Sequence, residues 1–571
     1  MDTYTDGMSL EEQIGQVLMV GFWGNTPSQE IIDLIQHYHV GNIILFSRNV
    51  RAAQQVLELT RSLQMIAKKA GHRYPLLIAI DQENGIVQRL GQAATIFPGN
   101  MALGAIDSEE ITFQVALATG QELKALGINM NLAPVVDVNN NPANPVIGVR
   151  SFGEDPQQVA RLGAAMVKGY HAAGILSCLK HFPGHGDTAI DSHLALPTIP
   201  YGLERLEALE LVPFRSGIKA GADSVMIAHV AYPAMARRDM LPATLSPAIV
   251  KGLLREKLGF NGAILSDCME MKAISDTFGT EQATVMALQA GIDLVLVSHH
   301  YTQQQGSIKA IEEGSVYRAE RSGADIAMGE GYGEAVHTNE LSPQAVQQAA
   351  ERVLKLKAHS LSWNDLSPTG RAQGIAPTMG EVAWQAHIQL QNQAYELSTT
   401  LIRNEEVLLP LHLDAGESII VLSPQRNTLT MVEDRYYSDE ILVDVIKQHH
   451  AAVRLEVIVA IAPGTVENAW GQLLQTTSKA DIFIVATVNA HLDEQQAELV
   501  RYLVSSGRRV IGIAVRNPYD LLVFPQLRTY LATYEYSRPA LVAAVRVLFG
   551  ERQAQGHLPV TIPSITSFHR C

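Results

Sequence analysis

Eight short apolar runs, each closed by a polar or glycine-containing turn, recur between residue ~15 and residue ~300: QVLMVGF, GNIILF, PLLIAID, NMNLAPVVDV, LSCLKHF, SVMIAHV, GAILSD and LVLVS. Amphipathic segments such as SQEIIDLIQHYH, SEEITFQVALATGQELKALG and QQVARLGAAMVKGYHAAG separate them. Continuous apolar strands of this length are buried on both faces, which requires a parallel sheet covered by helices. Eight βα units imply a (β/α)8 TIM-type barrel. Some irregularity is expected around NMNLAPVVDV, where the following chain is long and rich in Asn and Pro, with a shifted or antiparallel early strand as one form of it.

The chain has 571 residues, 47% hydrophobic and 18% charged, enough for more than one core. The barrel is assigned to residues 1–358, and residues ~302 to 340 are read as an irregular, glycine-rich excursion before the helix SPQAVQQAAERVLKLKAHSL. A linker at 359–380 carries the Ser, Pro and Gly of SWNDLSPTGRAQGIAPTMG. Residues 381–571 then begin a second βα series, with SIIVLSP, DIFIVATV, RVIGIAVRNP and TYLATYEYS as strands, giving a smaller three-layer α/β sandwich domain. It lacks a GxGxxG turn, so a dinucleotide site is not indicated.

A net charge of -15 and the lack of a dense Lys/Arg run argue against nucleic acid as a partner. No basic-then-apolar leader opens the sequence, and no apolar stretch is long enough for a membrane span. Three scattered cysteines fit a reducing compartment. The expected address is cytoplasmic.

In a parallel barrel the active site lies at the carboxyl ends of the strands. Asp81, Lys180, His181, His229 and Asp267 all close strand runs. The densest chemistry is KHFPGHGDTAIDSH, Lys180 to His193. His185, Asp187, Asp191 and His193 could hold a metal, yet their spacing matches no familiar zinc pattern, so no metal is assigned. Alternatively Asp191 orients the imidazole of His193, making it a general acid/base. A polar turn bonded to its own backbone is the plain structural alternative. Asp267 would supply the carboxylate nucleophile of covalent glycoside hydrolysis, unless it merely caps a helix.

KHFPGHGDTAIDSH, DQENGIVQRL, NLAPVVDVNNNP, VIGVRSFGEDP and LSDCMEMKAI, in this order, resemble the β-N-acetylglucosaminidases of glycoside hydrolase family 3. The resemblance implies Asp267 as nucleophile, His193 as acid/base and Asp191 as its partner. It also implies Asp81, Arg89, Arg150, Lys180 and His181 as binders of the sugar's hydroxyls and N-acetyl group. His229 is added as a pocket-lining, substrate-binding candidate, although a satisfied strand-end histidine reads equally well.

The expectation is a retaining exo-β-N-acetylglucosaminidase that needs no cofactor and takes GlcNAc-containing glycosides, including muropeptides from peptidoglycan. A β-N-acetylglucosaminide or β-glucoside phosphorylase using the same site is the alternative, because a histidine acid/base spares phosphate a like-charge penalty. A metal-dependent amidohydrolase and a non-catalytic sugar-binding protein are remoter. Three departures from the resemblance stand out: Asn84 where glycine is usual, Cys268 where a second acid is frequent, and the length of the excursion at 302–340.

Overall fold

The computed structural model describes residues 3–235, 241–321, 340–366, 380–414, 416–424, 440–458, 466–478 and 481–563, with Glu433 and Ser438. The eight apolar runs form β1 (Leu18–Val20), β2 (Asn42–Leu45), β3 (Leu77–Ile80), β4 (Met130–Asn131), β5 (Cys178–Phe182), β6 (Ser224–Ile227), β7 (Ala263–Cys268) and β8 (Leu294–Val297). They pair in the order β4-β3-β2-β1-β8-β7-β6-β5, every pairing parallel. The ring closes between β4 and β5 only through isolated parallel bridges, Met130 to Leu176 and Val135 to Lys180. The irregularity expected after NMNLAPVVDV is therefore a strand cut to two residues, with no antiparallel pairing.

Seven of these strands are buried along their whole length because both faces are covered, and β1, β3 and β8 are apolar throughout. Several of the barrel helices start at a side-chain cap. Ser9 and Glu12 form a reciprocal capping box, and Ser28 and Ser108 each accept from a first-turn N–H. Asp155 caps Pro156–Ala173, which has Pro at its first turn and stops at Gly174, φ 77°.

One expectation is corrected. The proposed irregular excursion is helical over Tyr301–Arg321, and positions 322–339 lie outside the described residues. Gln304, Ser307, Ile308, Ile311 and Ser315 bury a narrow stripe at helical spacing, too polar to announce itself in the sequence. Gly306 permits the close approach, since a Cβ there would collide with the Glu281 carboxylate.

The second sheet comprises β9 (Thr400–Asn404), β10 (Ile419–Pro424), β11 (Val453–Ile458), β12 (Ile482–Thr487), β13 (Arg509–Ala514) and β14 (Thr529–Ala532). Its order is β9-β14-β13-β12-β10-β11, with β9 antiparallel to β14 and the rest parallel. Separate apolar clusters cover its two faces, and one of them takes in Met101, Ala102, Ala105 and Val149 from the barrel side. Tyr519 and His491 reinforce that junction: the Tyr519 hydroxyl accepts from Asn139 at 2.9 Å, and His491 Nε2 donates to the Pro142 carbonyl at 3.0 Å. The loop that carries Arg150 thus rests on the second sheet's domain. Among the described residues no helix is long and apolar enough to cross a membrane.

Candidate active site

A cavity of about 340 Å³ opens at the carboxyl ends of the barrel strands, with Asp81, Arg89, Arg150, Lys180, His181, His193 and Asp267 in its lining. Seven residues named from the sequence thus meet in one place, although they span 187 positions along the chain from Asp81 to Asp267.

Strand irregularity accounts for part of this convergence. Successive side chains on a regular strand point to opposite faces, yet Lys180 and His181 both line the cavity. The β5–β6 register slips between Leu179 and Phe182, and such a slip re-aims side chains. A similar slip between β7 and β8 accompanies the adjacent pair Asp267 and Cys268.

On one side of the cavity lies a network of two cations and two carboxylates. Lys180 Nζ donates to Asp81 Oδ1 and Glu83 Oε1, both at 2.7 Å. Arg150 grips Glu83 with Nε and Nη2, both at 2.8 Å. Burial would push the Glu83 carboxyl up, but Arg150 and Lys180 outweigh it and hold it far below the usual range. Burial likewise opposes the charge on Lys180, and Asp81 and Glu83 raise its pKa nonetheless. Glu83 was not singled out from the sequence, although its position two residues after Asp81 in DQENG offered the signal. Asn84 takes φ 70°, a left-handed conformation that Asn tolerates better than most residues, which explains how it can stand where glycine is usual.

Asp137 is a second residue that the sequence reading missed. Its buried carboxylate accepts from His181 Nδ1 at 2.7 Å and from the backbone N–H of His185 at 2.7 Å. Burial would raise its pKa, and His181 and His185 lower it. With Nδ1 donating to Asp137, His181 turns Nε2 toward Arg150, whose Nη2 lies 3.4 Å away.

Across the cavity, Asp191 Oδ1 accepts from both Nδ1 (2.7 Å) and the backbone N–H (2.9 Å) of His193. Burial raises the Asp191 carboxyl, and His193 more than offsets it. Nε2 of His193 is left for a ligand in the cavity.

His185 supports this loop from beneath, with Nδ1 bonded to Thr188 Oγ1 at 2.9 Å and Nε2 to Ser192 Oγ at 3.0 Å. Burial, then the neighbouring His181, push its pKa down to about 4. Asp187 turns away to Arg205, 3.6 Å distant. Both ring nitrogens of His185 are thus bonded within the loop, Asp187 is drawn to Arg205, and Asp191 is paired with His193, whose Nε2 alone faces the cavity. Gly186 is required, because a Cβ there would collide with the Val138 carbonyl oxygen.

Asp267 Oδ1 accepts the backbone N–H of Cys268 at 2.7 Å. Burial would raise its pKa, but the imidazoles of His229, His181 and His193, together with that N–H, hold it at about 2. His229 corrects an expectation, since it does not line the cavity. It is buried, with Nε2 donating to the Cys268 carbonyl at 3.0 Å and Nδ1 bonded to Thr244 Oγ1 at 2.7 Å. Burial lowers its pKa, and it braces the strand end that carries Asp267.

Among the described residues, one cluster of metal-type donors converges, Cys268, Glu270 and His299. Glu270 is already pinned by the backbone N–H groups of His299 (2.6 Å) and His300 (3.0 Å) and by His300 Nδ1 (2.7 Å). His299 Nδ1 accepts from Arg48 Nη1 at 3.2 Å, so its lone pair is engaged too. The cluster reads as a hydrogen-bonded knot that fixes the chain after β8.

Residues 9–356 match the model of the glycosyl hydrolase family 3 N-terminal domain, and residues 399–569 match that of the family's C-terminal domain. The chain belongs to glycosyl hydrolase family 3. Its relatives include the beta-hexosaminidase A of Pseudoalteromonas piscicida, 33% identical, with 94% of this chain and 92% of that protein covered. A family 3 beta-N-acetylglucosaminidase from Paenibacillus sp. str. FPU-7 superposes with a TM-score of 0.85 at 37% identity, covering 97% of this chain and 99% of that one. A fungal multi-domain family 3 beta-N-acetylglucosaminidase superposes with a TM-score of 0.86 at 40% identity, covering 98% of this chain. This chain spans 61% of that longer protein. As a family member the chain is a glycoside hydrolase, built on a TIM-like barrel followed by a separate domain with a mixed sheet.

Proposed function

We propose that this glycoside hydrolase is a retaining exo-β-N-acetylglucosaminidase that removes terminal β-linked GlcNAc through a covalent glycosyl-aspartate intermediate. The observation that carries the reading is the meeting, in one cavity, of the Asp267 carboxylate with a histidine whose Nδ1 is committed to Asp191. The relatives named beta-hexosaminidase and beta-N-acetylglucosaminidase support the choice of sugar.

In this mechanism Asp267 attacks the anomeric carbon while Nε2–H of His193 protonates the departing glycosidic oxygen. Asp191 stabilises the imidazolium and holds the ring in place. Water then enters, gives its proton back to His193 Nε2 and attacks the anomeric carbon, so the sugar leaves with its configuration retained. Asp81 accepts hydrogen bonds from hydroxyls, whereas Lys180, Arg150, Arg89 and His181 are donors suited to hydroxyl and N-acetyl oxygens. Glu83 holds Arg150 and Lys180 in register. The chemistry runs on side chains alone.

We place the enzyme in the cytoplasm, on the strength of its few scattered cysteines, and propose GlcNAc-containing peptidoglycan fragments as substrates. The test is hydrolysis of paired aryl β-GlcNAc and β-glucoside substrates by wild type and Asp267→Ala, with phosphate and a chelator as variables. GlcNAc-selective, chelator-resistant activity that the substitution abolishes is the expected result. Sugar 1-phosphate formed on adding phosphate would replace hydrolase by phosphorylase. Cleavage of neither substrate, or full activity of the variant, would overturn the reading.

A further inference from the structure

Nine large hydrophobic side chains stand exposed among the described residues, and of these only Trp23 also lines the cavity. It follows β1 in the turn GFWG and is 62% exposed. An indole on an open surface normally samples several rotamers, but this one is held at two points. Its Nε1 donates to the His299 carbonyl oxygen at 3.2 Å. The Arg48 guanidinium lies over the ring, 4.7 Å from its centroid, and also over Phe46 at 4.1 Å.

Arg48 is itself anchored, with Nε donating to the Phe22 carbonyl at 2.9 Å and Nη2 to the Ser298 carbonyl at 2.7 Å. The guanidinium thus packs on one side of the indole and leaves the rest of the ring open to solvent. A fixed, amphipathic ring of this kind offers contact area at little entropic cost. It has no partner that the fold itself would require.

The position matters as much as the rigidity. Of the ion network, Lys180, Glu83 and Arg150 are buried, at 2%, 3% and 6% exposure, whereas Trp23 belongs to the open part of the same cavity. A ligand whose first sugar engages the buried network would carry its next ring outward, past the indole. The apolar face of a pyranose, with its axial C–H groups, stacks well on such a surface, while its hydroxyls stay in water.

We infer that Trp23 is a stacking platform for the saccharide ring on the leaving-group side of the scissile bond, and that it biases the enzyme toward glycosides whose aglycone is itself a sugar. This rests on the glycosidase reading above. Binding energy gained on that remote ring is available to hold the glycosidic oxygen against His193 in the transition state.

The test compares kcat/KM for a β-1,4-linked GlcNAc disaccharide with that for methyl β-GlcNAc, in wild type, Trp23→Ala and Trp23→Phe. The disaccharide-to-methyl ratio is expected to fall about tenfold in Trp23→Ala, the scale of losing an aromatic anchor, and to recover largely in Trp23→Phe. The methyl glycoside reports within the same variant whether folding and chemistry survive. An unchanged ratio, with both substrates turned over, would overturn the platform while leaving the glycosidase reading intact. Failure of wild type to cleave either substrate would overturn both.

Discussion

Asp191 and His193 are joined twice, because one carboxylate oxygen takes the Nδ1–H of the ring at 2.7 Å and the backbone N–H of the same residue at 2.9 Å. The second bond fixes the loop, and the first fixes the ring. A histidine so held turns Nε2 to the substrate in one tautomer and one orientation.

Asp191→Asn keeps the shape and removes the charge that stabilises the imidazolium. We expect kcat to fall by about 10² to 10⁴, most for poor leaving groups and least for an activated aryl glycoside that departs without protonation. A plot of log kcat against leaving-group pKa, steeper in the variant than in wild type, checks this.

Asp267→Ala removes the nucleophile. Its kcat is expected to drop at least about 10³-fold while the fold persists, since Asp267 faces the cavity and bonds only its neighbour's N–H among the described contacts. A mechanism-based fluorosugar should add the mass of one sugar to wild type and none to the variant.

Glu83→Gln leaves Arg150 and Lys180 buried with a weakened partner. Breaking a buried, bidentate pair in this way costs about 3–5 kcal/mol, to be read as a lower urea midpoint. KM for GlcNAc glycosides should rise as well, because the two cations would lose their fixed positions.

His185 sets a pH dependence whose sign can be worked out. Its pKa is held at about 4 in the folded chain against an ordinary value of 6.5, so the unfolded chain binds the extra proton first as pH falls. Its contribution to stability is complete above pH 6.5 and is lost progressively between 6.5 and about 4. Thermal melts at pH 7.5 and 5 should show a larger drop in wild type than in His185→Gln, which has no group to titrate there.

Much of the chain was legible in its sequence. The alternation of eight apolar runs with amphipathic helices follows from the need to bury a parallel sheet on both faces, a requirement local patterns express directly. Strand-end polar residues must share one face of a parallel barrel, which is why the sequence alone points to Asp81, Lys180, His181 and Asp267. The helix over Tyr301–Arg321 was hidden because its buried stripe is largely Gln and Ser.

What only the tertiary structure decided were partnerships between residues far apart in sequence. Glu83 meets Arg150 and Lys180 across 67 and 97 positions, and Asp137 meets His181 across 44. His229 stood at a strand end like the others, and packing alone turned it behind Asp267. Trp23, Arg48 and His299 come from the ends of β1, β2 and β8, which become neighbours only when the sheet closes between its first and last strands. A sequence states which side chains a strand end carries. Which of them touch depends on register slips, burial and ring closure, which are properties of the folded chain.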